Sequence, residues 1–444
     1  MSELPPHGLT AQEAGEKIRQ GWLSSVELVT DCLDRIEATD GQIKAWAHID
    51  RDKALARAHE MDAIRQSGRP MGRLHGIPVG LKDIIDTASL PTAYGSPIFD
   101  GNQPDADAFV VNRLLQEGAV ILGKTISTEF AFVNPSITCN PHNPEHTPGG
   151  SSSGSAAAVA GYQVPLAIGS QTNGSVIRPA SFCGTYGFKP SHGVISRHGV
   201  LKTCESFDQL GVFGRSLEDI AALTDVVGGY DPGDRKSYAY PRPQMLEGTR
   251  SDPPVTPNIV WLEMPYADQY SEEVRAGFEE VIEALGGQIE RVQPAESFAG
   301  LIATHNLVHE YEYVHHLKSI IEDDWDQISP NLQTVITRGQ SHSKDAYEHA
   351  LGVVQQTESF FADFFQDYDA VLTPAAFGEA PLIREGSTGD PSCCTIWTMA
   401  GLPSVSLPLL TGNNGLPIGV QLVGARQEDD RLLRTANWLL KELE

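Results

Sequence analysis

Three separated places in this 444-residue chain hold side chains that can do covalent chemistry together. Lys82 closes the run Gly76-Ile77-Pro78-Val79-Gly80-Leu81-Lys82-Asp83, and the run Gly149-Gly150-Ser151-Ser152-Ser153-Gly154-Ser155 is built almost wholly of small hydroxyl residues. Gln171-Thr172-Asn173-Gly174-Ser175 ends on a further serine. A serine hydroxyl is a poor nucleophile until a base takes its proton, and a lysine kept neutral by desolvation can be that base. Small residues ahead of Ser175 let backbone N–H groups turn towards a developing oxyanion. Taken alone, Thr172-Asn173-Gly174-Ser175 is an ordinary turn. Its combination with Lys82 and the serine run is what points to acyl transfer.

Two other motifs compete. Gly118-Ala119-Val120-Ile121-Leu122-Gly123-Lys124-Thr125 fits the phosphate-loop pattern letter for letter, yet its four spacer residues form a strand themselves and a helix precedes them. A phosphate loop needs the opposite context, so Lys124 and Thr125 are expected at the end of a buried strand. Gly150-Ser151-Ser152-Ser153-Gly154 fits a nucleophile elbow with Ser152 as nucleophile. An elbow needs a strand before it, and Pro141, Pro144 and Pro148 rule out a central strand there. Fourteen histidines still leave candidates for the base of a Ser-His-Asp hydrolase.

The elements that must position these residues alternate. Thr10 with Glu13 and Ser24 with Glu27 fit the capping box and predict two amphipathic helices, and Asp52 to Ser67 continues the helical pattern. The apolar run through Val79 and Leu81 reads as a strand ending on Lys82, Phe109 to Glu117 as a helix, Ala119 to Leu122 as a strand and Ser155 to Gly161 as an alanine-rich helix. Tyr230 to Asn258 reads as a surface linker, and helical patterns dominate Ser271 to Asp367, where aromatics such as Tyr311, Tyr313, Trp325, Tyr347, Phe360 and Phe361 either roof a pocket or pack between helices. Strand patterns return at Ala370 to Thr373, Ser404 to Leu409 and Gly419 to Val423, before a last helix from Asp429. Alternation of this kind predicts an α/β layer architecture in which the C-terminal strands rejoin the sheet begun near Val79.

Composition sets the class of chemistry. The 58 acidic residues against 32 basic ones give a net charge of −26, which repels phosphate backbones and anionic lipid. Six cysteines without a C-x-x-C pair suggest neither disulfides nor a zinc site. The charged stretch Met1 to Gln20 has no signal-peptide core, so a cytoplasmic protein is expected, and the charge-free stretch Thr147 to Ile177 is too rich in Pro, Gly, Ser, Gln and Asn for a membrane span. Charge is unevenly spread: the 59 residues between Glu145 and Glu205 contain no acid and four bases, Arg178, Lys189, Arg197 and Lys202. An anionic small substrate is therefore admissible there.

The runs Val79 to Asp83, Thr147 to Ala160 and Gly169 to Ser175 resemble the amidase signature family, and the likeness continues in Arg178-Pro179-Ala180-Ser181-Phe182-Cys183-Gly184, Gly187-Phe188-Lys189-Pro190, Ala400-Gly401-Leu402-Pro403 and Leu416 to Gly424. The resemblance implies that family's fold, a central mixed β-sheet covered by helices on both faces. Its boundaries would be an N-terminal helical segment (1–70), the signature core (71–225), a variable helical insertion or pocket roof (226–370) and C-terminal strands with a helix (371–444). It also implies a Ser–cis-Ser–Lys triad of Ser175 as nucleophile, Ser151 as bridge and Lys82 as base, a cis Gly150–Ser151 peptide bond, and an oxyanion hole at Thr172, Asn173 and Gly174. Gly150 and Arg178 would bind substrate, with no metal and no cofactor. The family's usual Thr-Gly-Gly-Ser is Thr172-Asn173-Gly174-Ser175 here, so Asn173 is either a specificity element or a tolerated change. Arg178 either grips a substrate carboxylate, as in malonamidase, or forms an internal ion pair. The expected activity is hydrolysis of a linear amide. Carbamate or aryl-amide hydrolysis and a glutaminase-type subunit of an amidotransferase complex are the alternatives. The expected partners are a small-molecule amide or carbamate, no nucleic acid, no membrane, and a homodimer as the assembly allowed for.

Overall fold

The computed structural model describes residues 4–241, 244–294 and 296–443. Eleven strands form one mixed sheet: β1 (Trp46–Ile49), β2 (Pro78–Lys82), β3 (Val120–Thr125), β4 (Leu166–Gln171), β5 (Tyr186–Lys189), β6 (Gln209–Gly214), β7 (Ile259–Leu262), β8 (Ile289–Val292), β9 (Ala370–Pro374), β10 (Ser404–Thr411) and β11 (Pro417–Val423). Their order across the sheet is β1-β3-β2-β4-β6-β5-β10-β11-β9-β7-β8. The C-terminal strands do rejoin the sheet, with β10 antiparallel to β5. Central strands are buried along their whole length, as β2, β4 and β6 show, because helices cover both faces. This is the mixed sheet covered by helices on both faces that the sequence motifs implied.

β2 lies between β3 and β4 and is parallel to both, with Leu81 opposite Ile168 of β4. Parallel neighbours end on the same edge of a sheet, so Lys82, the last residue of β2, and Gln171, the last residue of β4, come to one edge. Carboxyl ends of parallel strands are where α/β sheets place their sites. The alanine-rich helix Ser153–Ala160 packs on this part of the sheet, its Ala156, Ala157, Ala158 and Val159 fully buried. Gly154 is required for that packing: a Cβ there would meet the Ala45 carbonyl oxygen at 2.2 Å and the Ile126 nitrogen at 2.4 Å.

Both predicted capping boxes form, at Thr10 with Glu13 and Ser24 with Glu27. Two segments differ from their expected character. The N-terminal stretch is not wholly helical, since β1 pairs antiparallel with β3 through a shifted register. Region 226–370 also supplies strands: β7 and β8 run parallel to each other, and β7 pairs with β9 at the far edge. Four-residue strands flanked by long helices give too short a period-two signal to stand out. The expected linker from Tyr230 likewise contains a helix, Met245–Arg250. No helix among the described residues is long and apolar enough to cross a membrane.

Candidate active site

Lys82 is fully buried, and its Nζ donates to Ser151 Oγ at 2.6 Å and to Ser170 Oγ at 2.8 Å. No carboxylate contacts it among the described residues. Burial pushes its pKa well below the usual lysine range, opposed in part by the charge of Asp208. Desolvation thus favours the uncharged amine, the form whose lone pair can accept a proton. The Gly150–Ser151 peptide bond is cis.

The sequence reading missed Ser170. It sits on β4 one residue before Gln171, so its side chain points to the opposite face from Gln171 and towards the neighbouring end of β2. Ser152 is linked to it: its Oγ donates to the Ser170 carbonyl at 3.1 Å and accepts from the Ser170 N–H at 3.2 Å. Ser152 therefore touches Lys82 only through Ser170, and it is not an elbow nucleophile. The two histidines of the segment before the serine run are occupied elsewhere, His142 with the Cys183 carbonyl and His146 with the Ala380 carbonyl.

The Thr172–Ser175 turn links β4 to helix Ile177–Cys183. Gln171 Oε1 accepts from the N–H groups of Val176 and Ile177 at 2.8 and 3.0 Å and so caps that helix from the preceding strand. This leaves the N–H groups of Asn173, Gly174 and Ser175 with no protein acceptor among the described residues. Thr172 Oγ1 donates to Asp208 at 2.6 Å, and the Thr172 carbonyl contacts His305 Nε2 at 2.9 Å. The turn is also laced to helix Ser392–Met399. Thr398 Oγ1 accepts from Gln171 Nε2 at 2.8 Å and donates to the Asn173 carbonyl at 2.6 Å.

A cavity of about 220 Å³ opens above the turn, and Ser151, Thr172, Asn173, Gly174, Ser175 and Arg178 all line it. Its other walls are Ala131, Phe132 and Val133 from the segment after β3, Asn306, His309, Glu310 and Arg338 from helices Leu301–His316 and Pro330–Gln340, and Thr388, Gly389 and Pro391. Of the helical aromatics that could either roof a pocket or pack between helices, none lines it. Tyr311 stacks on Tyr347, and Phe361 packs against Trp397 in the core. Gly150 is absent from the lining, and its carbonyl accepts from Arg178 Nη2 at 2.7 Å.

Arg178 is buried and has no acidic partner among the described residues, which removes the internal ion pair. Its Nε donates to the Thr388 carbonyl at 2.9 Å, Nη2 reaches Thr388 Oγ1 at 3.2 Å, and Nη1 has no partner among the described residues. A buried charge left with an unused donor beside an open cavity suits an incoming anion. The phosphate-loop candidate goes elsewhere. Lys124 is buried inside β3, bonded to Thr92 Oγ1 at 2.7 Å and 3.6 Å from Asp83. It offers nothing to a nucleotide.

Residues 27–433 match the Amidase family. One of the subunits of glutamyl-tRNA(Gln) amidotransferase from Natranaerobius thermophilus is 32% identical over 97% of this chain and 95% of its own length. Among solved structures, a chain of a vestigial protein complex bearing on the origins of an s-triazine catabolic enzyme superposes with a TM-score of 0.92 at 29% identity, over 98% of both chains. Native peptide amidase from Stenotrophomonas maltophilia superposes with a TM-score of 0.86 at 27% identity, over 98% of this chain and 97% of its own. One expectation is overturned. Relatives described as one subunit of an amidotransferase for a charged tRNA point to protein partners and RNA, not to a small molecule alone. The inference from net charge failed because a whole-chain sum describes the average surface potential and says nothing about an individual docking face.

Proposed function

The chain belongs to the amidase signature family of carbon–nitrogen hydrolases, and from that premise we propose that it cleaves an amide through a covalent acyl-enzyme on Ser175. One observation carries the reading: Lys82, buried and without a carboxylate partner among the described residues, is bonded at 2.6 Å to Ser151, which lines the same cavity as Ser175. Neutral Lys82 takes the proton of Ser151 as Ser151 takes that of Ser175. The Ser175 oxygen bonds to the amide carbon, and the carbonyl electron pair moves onto oxygen, which the free N–H groups of Asn173, Gly174 and Ser175 receive. The C–N bond then breaks, its electron pair leaving with nitrogen, which accepts the proton returned through Ser151. Water repeats the relay on the ester and frees the acid. Losing one oxyanion donor typically costs about 10²–10³ in rate.

Arg178 Nη1 supports an amide that also carries a carboxylate. The relatives support the setting: the chain acts as the amide-hydrolysing member of an assembly of the amidotransferase kind, and ammonia set free at Ser175 passes to a partner. The test is ammonia release from carboxylate-bearing amides by the chain alone and co-purified from its own cells with whatever it binds, together with Ser175→Ala. Turnover that needs the co-purified partner and vanishes in Ser175→Ala is the expected result. Full turnover by Ser175→Ala would end the mechanism, and equal turnover with and without co-purified protein would end the placement in an assembly.

A further inference from the structure

Asn173 stands where the family's motif ordinarily has glycine, and the structure gives its side chain a defined orientation. Thr395, on helix Ser392–Met399, is fully buried and lies 2.6 Å from Asn173 Oδ1 through its Oγ1. The same hydroxyl is 3.2 Å from the Pro391 carbonyl. A hydroxyl has one proton to donate, and the shorter contact takes it. With Oδ1 engaged, the two N–H bonds of Nδ2 are left over, and Asn173 is half-buried in the cavity lining. Beside it, a Cβ on Gly174 would lie 3.1 Å from Arg178 Nη1, so that unpartnered donor rests directly against the turn that bears Asn173.

Resting on the reading of this cavity as the substrate site, we propose that the Asn173 side chain is a specificity-determining donor. Its Nδ2 and Arg178 Nη1 receive one planar group with two acceptors, a carboxylate on the acyl part of the substrate, and Thr395 is the positioning residue that sets the amide's orientation. Two donors from different places fix the plane and direction of such a group, where Arg178 alone, with only Nη1 unengaged, would hold it at a single nitrogen. Fixing that plane aligns the scissile carbonyl over Ser175. An uncharged amide of the same size gains less from the pair, so the two donors discriminate between acid amides and neutral ones.

The experiment is equilibrium calorimetry in a Ser175→Ala background, where bound amide is not consumed, with malonamate and its neutral analogue malonamide as probes. Malonamate is expected to bind at least ~10-fold more tightly than malonamide. Asn173→Asp, which keeps the shape but replaces two donors with a charged acceptor, should weaken malonamate about 100-fold and malonamide less than ~3-fold. Asn173→Gly restores the residue usual in the family motif and guards against a folding defect; it should weaken malonamate about 10-fold. Thr395→Val leaves Asn173 in place but unpinned, and should lower the malonamate preference about 5-fold. A parent with no preference, or Asn173 variants that keep the full preference or weaken both probes equally, would overturn the proposal. Labelling of Ser175 in the unmutated protein by a fluorophosphonate is scored separately. Its failure would remove Ser175 as the nucleophile while the calorimetry still decides the role of Asn173.

Discussion

Replacing Lys82 by methionine separates the function of this residue from its cost to the fold. Both side chains have similar length, and Lys82 is fully buried with its pKa well below the usual lysine range, chiefly through desolvation. The unfolded chain holds that lysine's proton up to about pH 10.4, whereas the folded chain does not. In the window between the two values the unfolded state binds one more proton, so wild-type stability rises with pH by about 1.4 kcal/mol per unit. The penalty is fully present below the folded pKa and is gone above the unfolded one. Lys82→Met has no such group, so the stability difference between the two proteins must shrink by about 1.4 kcal/mol for each pH unit inside that window. For a chain of this length, an unfolding entropy of about 2.1 cal/mol/K per residue makes that a Tm convergence of roughly 1.5 °C per pH unit. Against the gain from removing the penalty, the variant loses two hydrogen bonds, to Ser151 and Ser170, each worth about 1 kcal/mol. Lys82→Met should therefore unfold at a higher Tm than wild type at pH 7 while losing amide hydrolysis and Ser175 labelling. Thermal unfolding of both proteins at half-unit pH intervals is the assay. Parallel Tm curves for the two proteins would show that Lys82 is charged in the folded state and cannot act as the base.

Three more outcomes follow from the same geometry. Arg178→Gln keeps a donor for the Gly150 carbonyl but removes the charge, so KM for malonamate should rise about 100-fold with little change for malonamide in steady-state kinetics; equal effects on both would remove the carboxylate contact. Thr398→Val strips the buried hydroxyl that joins Gln171 to the Asn173 carbonyl, leaving both unpaired, and should cost roughly 2–4 kcal/mol of stability and at least ~10-fold in kcat. Denaturation and single-turnover acylation measure the two losses, and an unchanged kcat would show that the lacing does not hold the turn. Lys124 is buried against Asp83 and Thr92, with its pKa lowered to about 8, chiefly by desolvation. Millimolar ATP with magnesium should accordingly leave Tm unchanged; a rise of several degrees would restore the phosphate loop.

How much of the site was legible depended on whether its contacts run along the chain or across it. Pro78 to Lys82 announced a strand ending on a lysine, and the glycine and serine runs announced backbone turns, because small residues permit conformations and close approaches that others forbid. Motif resemblance then brought Lys82, Ser151 and Ser175 together, and the structure places Lys82 and Ser151 in contact. Ser170 was hidden in its own motif: only the parallel pairing of β2 with β4 puts its hydroxyl on Lys82. Thr388, Thr395 and Thr398 carried no signal, since threonines more than two hundred residues away gain meaning only when Thr388 meets Arg178 and helix Ser392–Met399 packs on the turn. β7 and β8 were lost for a related reason, being four residues long and flanked by helices.

The amino-acid order was enough to specify the chemistry-bearing residue types, their succession, the α/β alternation and the family. Those are local properties of composition, spacing and backbone freedom. Folding in three dimensions was needed to establish that Arg178 has no carboxylate partner among the described residues, that Lys82 is fully buried, that the helical aromatics pack among themselves and the core instead of lining the pocket, and that Asn173 is held by a distant threonine. Charge state, desolvation and free hydrogen-bonding capacity depend on what surrounds a group in space, and for this site most of those neighbours come from other parts of the chain.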